Sequence, residues 1–283
     1  MKKARELVEE NLKLVDVVVE LLDARIPAAS ANPMLREIIG DKPRVVALNK
    51  RDLADENMTR LWLEHFRAKK IPAVALDSVS GKGMKELLTL IEREAKYRTE
   101  RLVSKGVAAR KARVMILGIP NVGKSSLINR LAGAAKAKTA DKPGVTRAKQ
   151  WIRIGTDVDL LDTPGILWPK FEDPRVGLKL AFTGAVNDEI YDLESVAHLL
   201  LATLRRDHQE RLQERFKFKE ALPETTEGLM DAIGRKRGCL LKGGRIDFEK
   251  VQHILLAEFR MGKFGKISLD VPPTEAAEEV DDS

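Results

Sequence analysis

The residues from Gly118 to Ser125 have the spacing of a loop that binds phosphate groups. They fit the pattern G-x-x-x-x-G-K-[ST] and stand between a predicted strand and a predicted helix. The glycines let backbone N–H groups approach phosphate oxygens, and the helix N-terminus adds positive potential. Lys124 would reach the β- and γ-phosphates, and the Ser125 hydroxyl would bind Mg²⁺. A plain glycine-rich turn is the alternative. The expected phosphate contacts come from Asn121, Val122, Gly123, Lys124, Ser125 and Ser126.

A second segment with phosphate chemistry is Asp162-Thr163-Pro164-Gly165, which follows a predicted strand 37 residues after Ser125. There Asp162 would hold Mg²⁺ through water, and the Gly165 N–H would meet the γ-phosphate. In the polar loop between the two segments, Thr146 would complete the Mg²⁺ shell when the γ-phosphate is present. An ordinary loop threonine is the alternative for Thr146.

The segment Asn49-Lys50-Arg51-Asp52 has the residue types that select guanine. A carboxylate at Asp52 can accept hydrogen bonds from both N1–H and the 2-amino group of guanine. Adenine has an acceptor at N1 and no 2-amino group, so it would leave the carboxylate unpaired. Asn49 would brace the loop and contact the base edge, and the alkyl stem of Lys50 would cover the ring.

A weaker signal for the same base lies in the loop from Asp77 to Gly83, which follows the next predicted strand. Backbone N–H groups near Ser78 and Val79 would donate to the O6 oxygen of guanine. Together the segments predict a site for GTP with Mg²⁺.

The elements that must position these loops alternate between strands and helices in the first part of the chain. Short β-branched runs predict strands at 15–22, 44–48, 73–76, 113–117 and 157–161, with another near Ile152. Helical spacing is seen at 33–40, 55–69, 83–96 and 124–131. This alternation is typical of an α/β fold with a mostly parallel sheet.

The pattern changes near residue 170, after which amphipathic helices are predicted at 174–185, 190–206, 207–218, 225–235 and 247–260. We therefore expect a nucleotide-binding domain over 1–170, an all-helical domain over 171–271, and an acidic disordered tail over 272–283. Residues 96–113 are predicted to be a basic connector.

The charge balance favours a polyanionic partner. The chain has 50 basic and 43 acidic residues, and five of the acids lie in the last ten residues. The remainder is therefore more basic than the average suggests. A solvated surface is the alternative. Only 5% of the residues are aromatic, which argues against RNA recognition by stacked aromatic side chains.

Two further counts exclude classes of protein. Cys239 is the single cysteine, which excludes an intrachain disulfide and a cysteine-based zinc site and fits a reducing, cytoplasmic compartment. No apolar run approaches 18 residues, so no membrane span and no membrane partner are expected. The first residues lead into an acidic amphipathic stretch, which is unlike a signal or transit peptide.

The order of the motifs is inverted relative to ordinary GTPases, because Asn49–Asp52 precedes Gly118–Ser125. The same site can assemble when the chain is cut elsewhere, since the loops stay at the same ends of the strands. The sequence resembles the circularly permuted GTPases, and most of all the bacterial ribosome biogenesis GTPase A family (YlqF-type). Leu22-Asp23-Ala24-Arg25-Ile26-Pro27 matches the D-A-R-x-P element of that family. The resemblance covers residues 1–270, with the helical part matched only loosely.

The resemblance implies a P-loop GTPase that binds the maturing large (50S) ribosomal subunit, contacts its RNA and proteins, and couples GTP hydrolysis to a late assembly step. A cytoplasmic monomer with weak activity until stimulated by the particle is expected. The alternatives are a GTPase of tRNA modification or small-subunit assembly, and a GTP-gated RNA-binding module with negligible hydrolysis.

The catalytic group is not assigned. Ile166 follows Gly165, where Ras-like enzymes carry a glutamine that orients water, and isoleucine cannot polarise water. Family members carry a candidate histidine before the segment aligned with Lys2–Ala4, and this sequence begins at Met1. Asn121 resembles the asparagine of potassium-activated GTPases, where K⁺ bridges phosphates; a role in shaping the loop is the alternative.

Basic residues concentrate in the helical part. The stretch from Arg235 to Arg245 has five bases and no acid, and we expect RNA backbone contacts there; a plain surface is the alternative. The predicted contacts are Arg235, Lys236, Arg237, Lys242 and Arg245. In the run 207–220 acids interleave with bases, which is also typical of a solvated helix.

Overall fold

The computed structural model describes residues 2–104, 110–133, 151–154, 158–161, 174–186 and 191–273. The chain divides into two compact units, one of Met1–Lys170 with Ser268–Ser283 and one of Phe171–Ile267. The predicted boundary between the nucleotide-binding domain and the helical domain, near residue 170, lies at the division between Lys170 and Phe171.

A six-stranded sheet forms the centre of the first unit. The strands are β1 (Val17–Asp23), β2 (Arg44–Asn49), β3 (Ala73–Ala75), β4 (Ala112–Leu117), β5 (Trp151–Ile154) and β6 (Val158–Leu161). Their order is β3-β2-β1-β4-β6-β5, and all neighbours are parallel except β5 and β6. The central strand β1 is buried along its whole length, as its aliphatic run predicts for a parallel strand covered on both faces. The predicted mostly parallel α/β sheet is confirmed.

Helices cover this sheet. They are α1 (Lys2–Leu12), α2 (Pro27–Ser30), α3 (Pro33–Ile39), α4 (Glu56–Ala68), α5 (Met84–Val103) and α6 (Lys124–Ala132). Asn32 and Asp55 cap α3 and α4, because their side-chain oxygens accept from the Leu35 and Met58 backbone N–H groups. Buried residues of α1 and α3 pack on β1 and β4, and Trp62 and Phe66 of α4 pack on β1, β2 and β3.

The predicted basic connector is partly helical. Helix α5 continues to Val103, whereas the spacing of apolar residues predicted its end at 96. Residues 105–109 lie outside the described residues. Arg110 then forms a two-pronged ion pair with Asp16, at 2.7 and 2.9 Å, which ties the end of the connector to the start of β1.

The second unit contains α7 (Pro174–Thr183), α8 (Leu193–Asp207), α9 (Gln209–Phe216), α10 (Thr226–Arg237) and α11 (Phe248–Arg260). Helix α11 packs against α7, α8 and α10 through buried residues such as Val251 and Leu255. In residues 174–186 and 191–267 the structure shows these helices and one bridge, between Leu240 and Ile246, and no strand. None of the described helices is long and apolar enough to cross a membrane.

The chain returns to the first unit through a C-terminal strap, residues 268–270. The Leu269 N–H donates to the Arg25 carbonyl oxygen at 2.7 Å, and the Asp270 carboxylate accepts from the Ala29 N–H at 2.8 Å. The Ser268 hydroxyl accepts from the Asp55 N–H at 3.1 Å.

The helical domain was predicted to extend to residue 271 and so to include the strap. The structure groups the chain from Ser268 onward with the first unit instead. The reason is that hydrogen bonds between residues 241 positions apart leave no periodic signal in the sequence. The tail beyond residue 273 lies outside the described residues.

Candidate functional site

Three of the predicted binding segments, the loops after β2, β3 and β4, meet at one edge of the sheet. Strands β1, β2, β3 and β4 are parallel, so the loops that follow their carboxyl ends lie side by side. The loop after β2 holds Asn49–Asp52, the loop after β3 holds Asp77–Gly81, and the loop after β4 runs from Gly118 to Gly123. The permuted chain thus brings its two motif groups to the same place.

The loop from Gly118 to Gly123 needs its glycines. A Cβ atom at Gly118 would lie 2.7 Å from the Leu21 carbonyl oxygen. Gly123 has a φ of +99°, and a Cβ there would overlap Asn49 Nδ2. Only glycine therefore allows this loop to pass so close to β1 and to the loop after β2.

Helix α6 begins directly at Lys124, as the motif predicts. The Nζ atom of Lys124 is buried, and Ser125 and Ser126 are exposed in the first turn. This places a cation and two hydroxyls at the positive end of the helix dipole. The arrangement suits an anionic group of phosphate size.

Asn49 joins three loops of the site. Its side chain is fully buried, with Nδ2 donating to the Val122 carbonyl oxygen at 2.8 Å. Its Oδ1 accepts from the Ser78 backbone N–H at 3.0 Å. Since both polar ends are used within the protein, Asn49 joins the loops after β2, β3 and β4. The predicted contact of Asn49 with the base edge stays a prediction.

Lys50 and Asp52 extend from the same loop. Lys50 has a φ of 61° and donates from Nζ to the Asn121 carbonyl oxygen at 2.7 Å, across the phosphate-binding loop. Asn121 also has a left-handed backbone, with a φ of 56°. The Asp52 carboxylate is exposed on a turn held by the hydrogen bond from Leu53 N to Lys50 O. Asp52 is therefore accessible to a base lying over Lys50.

The loop after β3 is organised around Asp77. Asp77 Oδ1 accepts from the Val79 N–H at 2.8 Å, and the Ser78 N–H already donates to Asn49. A base oxygen at this loop would therefore share the Val79 N–H with Asp77 or replace it. The roles of Ser78 and Val79 stay predictions. Partial burial opposes ionisation of Asp77, but hydrogen bonds from Ser80 and Val79, with the nearby charge of Arg130, keep its pKa below the usual value.

Arg130 makes a contact with the loop after β3 that the sequence did not predict. It lies in the last turn of α6, and its Nη2 donates to the Val79 carbonyl oxygen. The helix that starts at Lys124 is thereby joined to the loop after β3. The only signal in the sequence was helical spacing from Lys124, which shows nothing about a loop 51 residues earlier.

Four predicted positions, Thr146, Asp162, Gly165 and Ile166, lie outside the described residues. Of the predicted Mg²⁺ ligands, the described residues contain Ser125, whose exposed hydroxyl oxygen is a donor that suits Mg²⁺. In the described part of the chain no three His, Cys, Asp or Glu side chains form a metal cluster. Ser125 fits a metal held mainly by phosphate oxygens and water.

The five predicted RNA contacts belong to the second unit and are all exposed. The fold brings acids to some of them: Arg235 pairs with Asp231 at 2.8 Å, and Arg237 pairs with Glu258 at 2.5 Å. Glu258 also binds Arg215 at 2.6 Å, so Arg237 belongs to a partly buried ion network. The local absence of acids between 235 and 245 therefore overstated the free positive charge.

Lys242 and Arg245 lie on an exposed hairpin turn that follows α10. The Leu241 N–H donates to the Arg245 carbonyl oxygen at 2.8 Å, and Gly243 and Gly244 form the tip with positive φ. Lys236 donates to the Lys217 carbonyl oxygen, and its ammonium lies 4.8 Å from the ring centre of Phe218. These three bases face solvent around one end of α10.

Comparisons with known proteins identify relatives of this chain. A family described as "50S ribosome-binding GTPase" matches residues 113–227, beginning in β4 and so after the Asn49–Asp52 loop. Ribosome biogenesis GTPase A of Bacillus cereus is 50% identical over 282 residues, covering 100% of this chain and 95% of its own. The Bacillus licheniformis protein of the same name is 48% identical and covers 96% of both chains.

A solved structure shares the fold across both units. GNP-bound YlqF from Thermotoga maritima has a TM-score of 0.67 and 28% identity, covering 95% of this chain and 98% of that chain. A relative at 50% identity over the full chain establishes the family. The strand order brings the loops after β2 and β4 to one edge of the sheet although the motif order along the chain is inverted. The chain belongs to the ribosome biogenesis GTPase A family and is a GTPase of ribosome biogenesis with a circularly permuted G domain.

Proposed function

We propose that this GTPase binds the maturing large ribosomal subunit in the cytoplasm and couples GTP binding and hydrolysis to a late assembly step. The observation that carries the proposal is the meeting of a guanine loop and a phosphate loop at one sheet edge, in a chain whose relatives are named ribosome biogenesis GTPase A. The description of the matched family as 50S ribosome-binding supports the choice of subunit.

We infer that GTP lies across the loops after β2, β3 and β4. The Asp52 carboxylate selects guanine, and Lys124 with the N-terminus of α6 binds the phosphates. Mg²⁺ would be held by Ser125 with Thr146 and Asp162, and when bound it would offset the negative charge of the phosphate oxygens. We also propose a K⁺ ion at the Asn121 side chain. The alternative is that Asn121 only shapes the loop, whose backbone carbonyl oxygen at Asn121 accepts from Lys50 Nζ.

The proposed RNA surface is the exposed end of α10 with its hairpin turn. Lys242 and Arg245 present cations to solvent, and Lys236 is exposed although it donates to the Lys217 carbonyl oxygen, whereas Arg237 is engaged with Glu258. Cations of this kind bind phosphates and release counterions, so binding to the particle should weaken steeply with salt. The acids near Arg235 and Arg237 make the hairpin residues the stronger candidates.

Neutralising Lys236, Lys242 and Arg245 together to glutamine should lower the salt slope of subunit binding by about 2 to 3, roughly one for each phosphate that the variant no longer neutralises. The measurement is the affinity for large subunits at several KCl concentrations. A matched variant neutralises Arg60, Arg67 and Lys85, three exposed bases of the first unit. GDP affinity should be unchanged in both variants. An unchanged salt slope in the variant at Lys236, Lys242 and Arg245 would show that the RNA contacts lie elsewhere.

Co-sedimentation with purified subunits tests the proposed function. With a non-hydrolysable GTP analogue the protein should pellet with large subunits, and it should pellet less with GDP or with small subunits. Preference for small subunits would favour the alternative of small-subunit assembly. Binding to neither subunit would contradict the proposal and favour a GTPase of another RNA process.

A further inference from the structure

A group of three charges, two of them buried in the D-A-R-x-P element, lies at the carboxyl end of β1. This charge cluster consists of Asp23, Arg25 and Lys50. Asp23 and Arg25 are each only 2% exposed. Arg25 binds both carboxylate oxygens of Asp23, at 2.9 and 2.7 Å, and Lys50 Nζ lies 3.0 Å from Asp23 Oδ2.

The ionised form of Asp23 is stabilised, because this buried carboxylate faces two cations. Burial alone would raise the pKa of Asp23, but the charges of Arg25 and Lys50 and their hydrogen bonds hold it well below its usual value. Asp23 is therefore ionised at neutral pH. Such a buried ion group is costly to assemble and strongly destabilising to break by removing one member.

Lys50 also contacts the phosphate-binding loop, which lies outside the charge cluster. Its ammonium donates to the Asn121 carbonyl oxygen at 2.7 Å, so one nitrogen contacts both Asp23 and the phosphate-binding loop. Lysine side chains lose much conformational freedom when they are held in one rotamer. The fixed carboxylate of Asp23 supplies the opposing contact that keeps Lys50 across the loop.

The backbone around Asp23 is also fixed from several sides. The Asp23 N–H donates to the Ser30 hydroxyl at 3.0 Å, and the Arg25 N–H donates to Asp23 Oδ1 at 3.1 Å. The Arg25 carbonyl oxygen accepts from Leu269 of the C-terminal strap. The position of the carboxylate is thus set by contacts within the fold.

We propose that Asp23 is a positioning residue for guanine-nucleotide binding, which acts by holding Lys50 across the phosphate-binding loop at Asn121. The inference rests on the proposed nucleotide site. It gives the D-A-R-x-P element a physical role, namely to fix the lysine of the guanine loop from a neighbouring strand. Asp23 itself does not contact the nucleotide in this proposal.

The chain offers a matched control on the same strand. Glu20 is also 2% exposed and pairs with Arg44 at 3.0 Å, three residues before Asp23. Glu20 lies in the middle of β1, beside Val46 of β2, and away from the loops at the carboxyl edge. Loss of either acid removes a buried ion pair, but only Asp23 is joined to Lys50.

The experiment compares Asp23→Asn with Glu20→Gln in the full-length protein. Asp23→Asn should raise the dissociation constant for GDP at least about tenfold, as expected when a charge-assisted hydrogen bond at the site is removed. Glu20→Gln should change the dissociation constant for GDP less than about twofold, even if it lowers the melting temperature as much as Asp23→Asn does. An unchanged GDP affinity in Asp23→Asn, or an equal loss in both variants, would overturn the proposal.

A double-mutant cycle with Lys50→Gln separates positioning from general destabilisation. Lys50→Gln should weaken GDP binding about tenfold in the wild-type background and less than about twofold in the Asp23→Asn background. Equal factors in both backgrounds would show that Asp23 does not act through Lys50. If the wild-type protein bound no GDP, the proposed nucleotide site would fail instead, and that result is distinct from either outcome.

Should Asp23→Asn fail to fold, the pair Asp23→Asn with Arg25→Met removes both buried charges, and Glu20→Gln with Arg44→Met is its control. Neutral replacement of a whole buried pair is often tolerated. The dissociation constant for GDP should again rise at least about tenfold in the double variant at Asp23 and Arg25, and less than about twofold in the double variant at Glu20 and Arg44. No difference between them would contradict the proposal.

Discussion

Lys124→Ala should remove guanine-nucleotide binding, with the dissociation constant for GDP and GTP rising at least about 100-fold. Lys124 opens α6 with its Nζ buried at the phosphate-binding loop. Removal of two charge-assisted hydrogen bonds to phosphate oxygens costs about 3–6 kcal/mol, which is a factor of about 10² to 10⁴. Titration of a fluorescent GDP analogue measures the change directly.

The control for Lys124→Ala is Lys96→Ala, on the exposed surface of α5, where the lysine pairs weakly with Glu100 at 3.8 Å. Its nucleotide affinity and melting temperature should equal those of the wild type. If Lys124→Ala retained wild-type affinity, the assignment of Gly118–Ser125 as the phosphate-binding loop would be wrong.

Asp52→Asn should change the base that the protein prefers from guanine to xanthine. The carboxylate accepts two hydrogen bonds from guanine, whereas an amide can accept one and would present its NH₂ group to the 2-amino group. Xanthine carries a carbonyl at that position, which accepts from the amide. We expect GDP affinity to fall at least about 100-fold and XDP to bind more tightly than GDP.

Competition of GDP, XDP and ADP against a fluorescent nucleotide measures this preference. Asp41→Asn serves as the control, because Asp41 is exposed just before β2, at the opposite end of that strand from Asp52. It should retain the preference for GDP. An Asp52→Asn protein that still preferred GDP would refute the role of Asp52.

Much of the site could be predicted because its contacts follow from strand direction. Parallel strands place Asn49 and Gly123 at one edge, and this brings Asn49 close enough to donate to the Val122 carbonyl oxygen. The start of α6 at Lys124 likewise follows from the local motif. Such features depend on short segments and on a general rule of topology.

Other contacts could not be predicted because they join segments with no shared periodicity. Arg130 reaches Val79, Asp23 reaches Lys50, and the strap reaches Arg25 across most of the chain. The helical unit shows the same effect, since Glu258 neutralises Arg237 from another helix. Counting charges along the sequence cannot reveal such pairs, which depend on where helices pack.

We propose that the large ribosomal subunit controls GTP hydrolysis by this protein. Phosphate release from GTP, measured with purified large subunits, with small subunits and with neither, in K⁺ and in Na⁺, tests it most directly. We predict at least about tenfold stimulation by large subunits alone, and faster release in K⁺ than in Na⁺. The absence of stimulation by large subunits in either salt would contradict the claim.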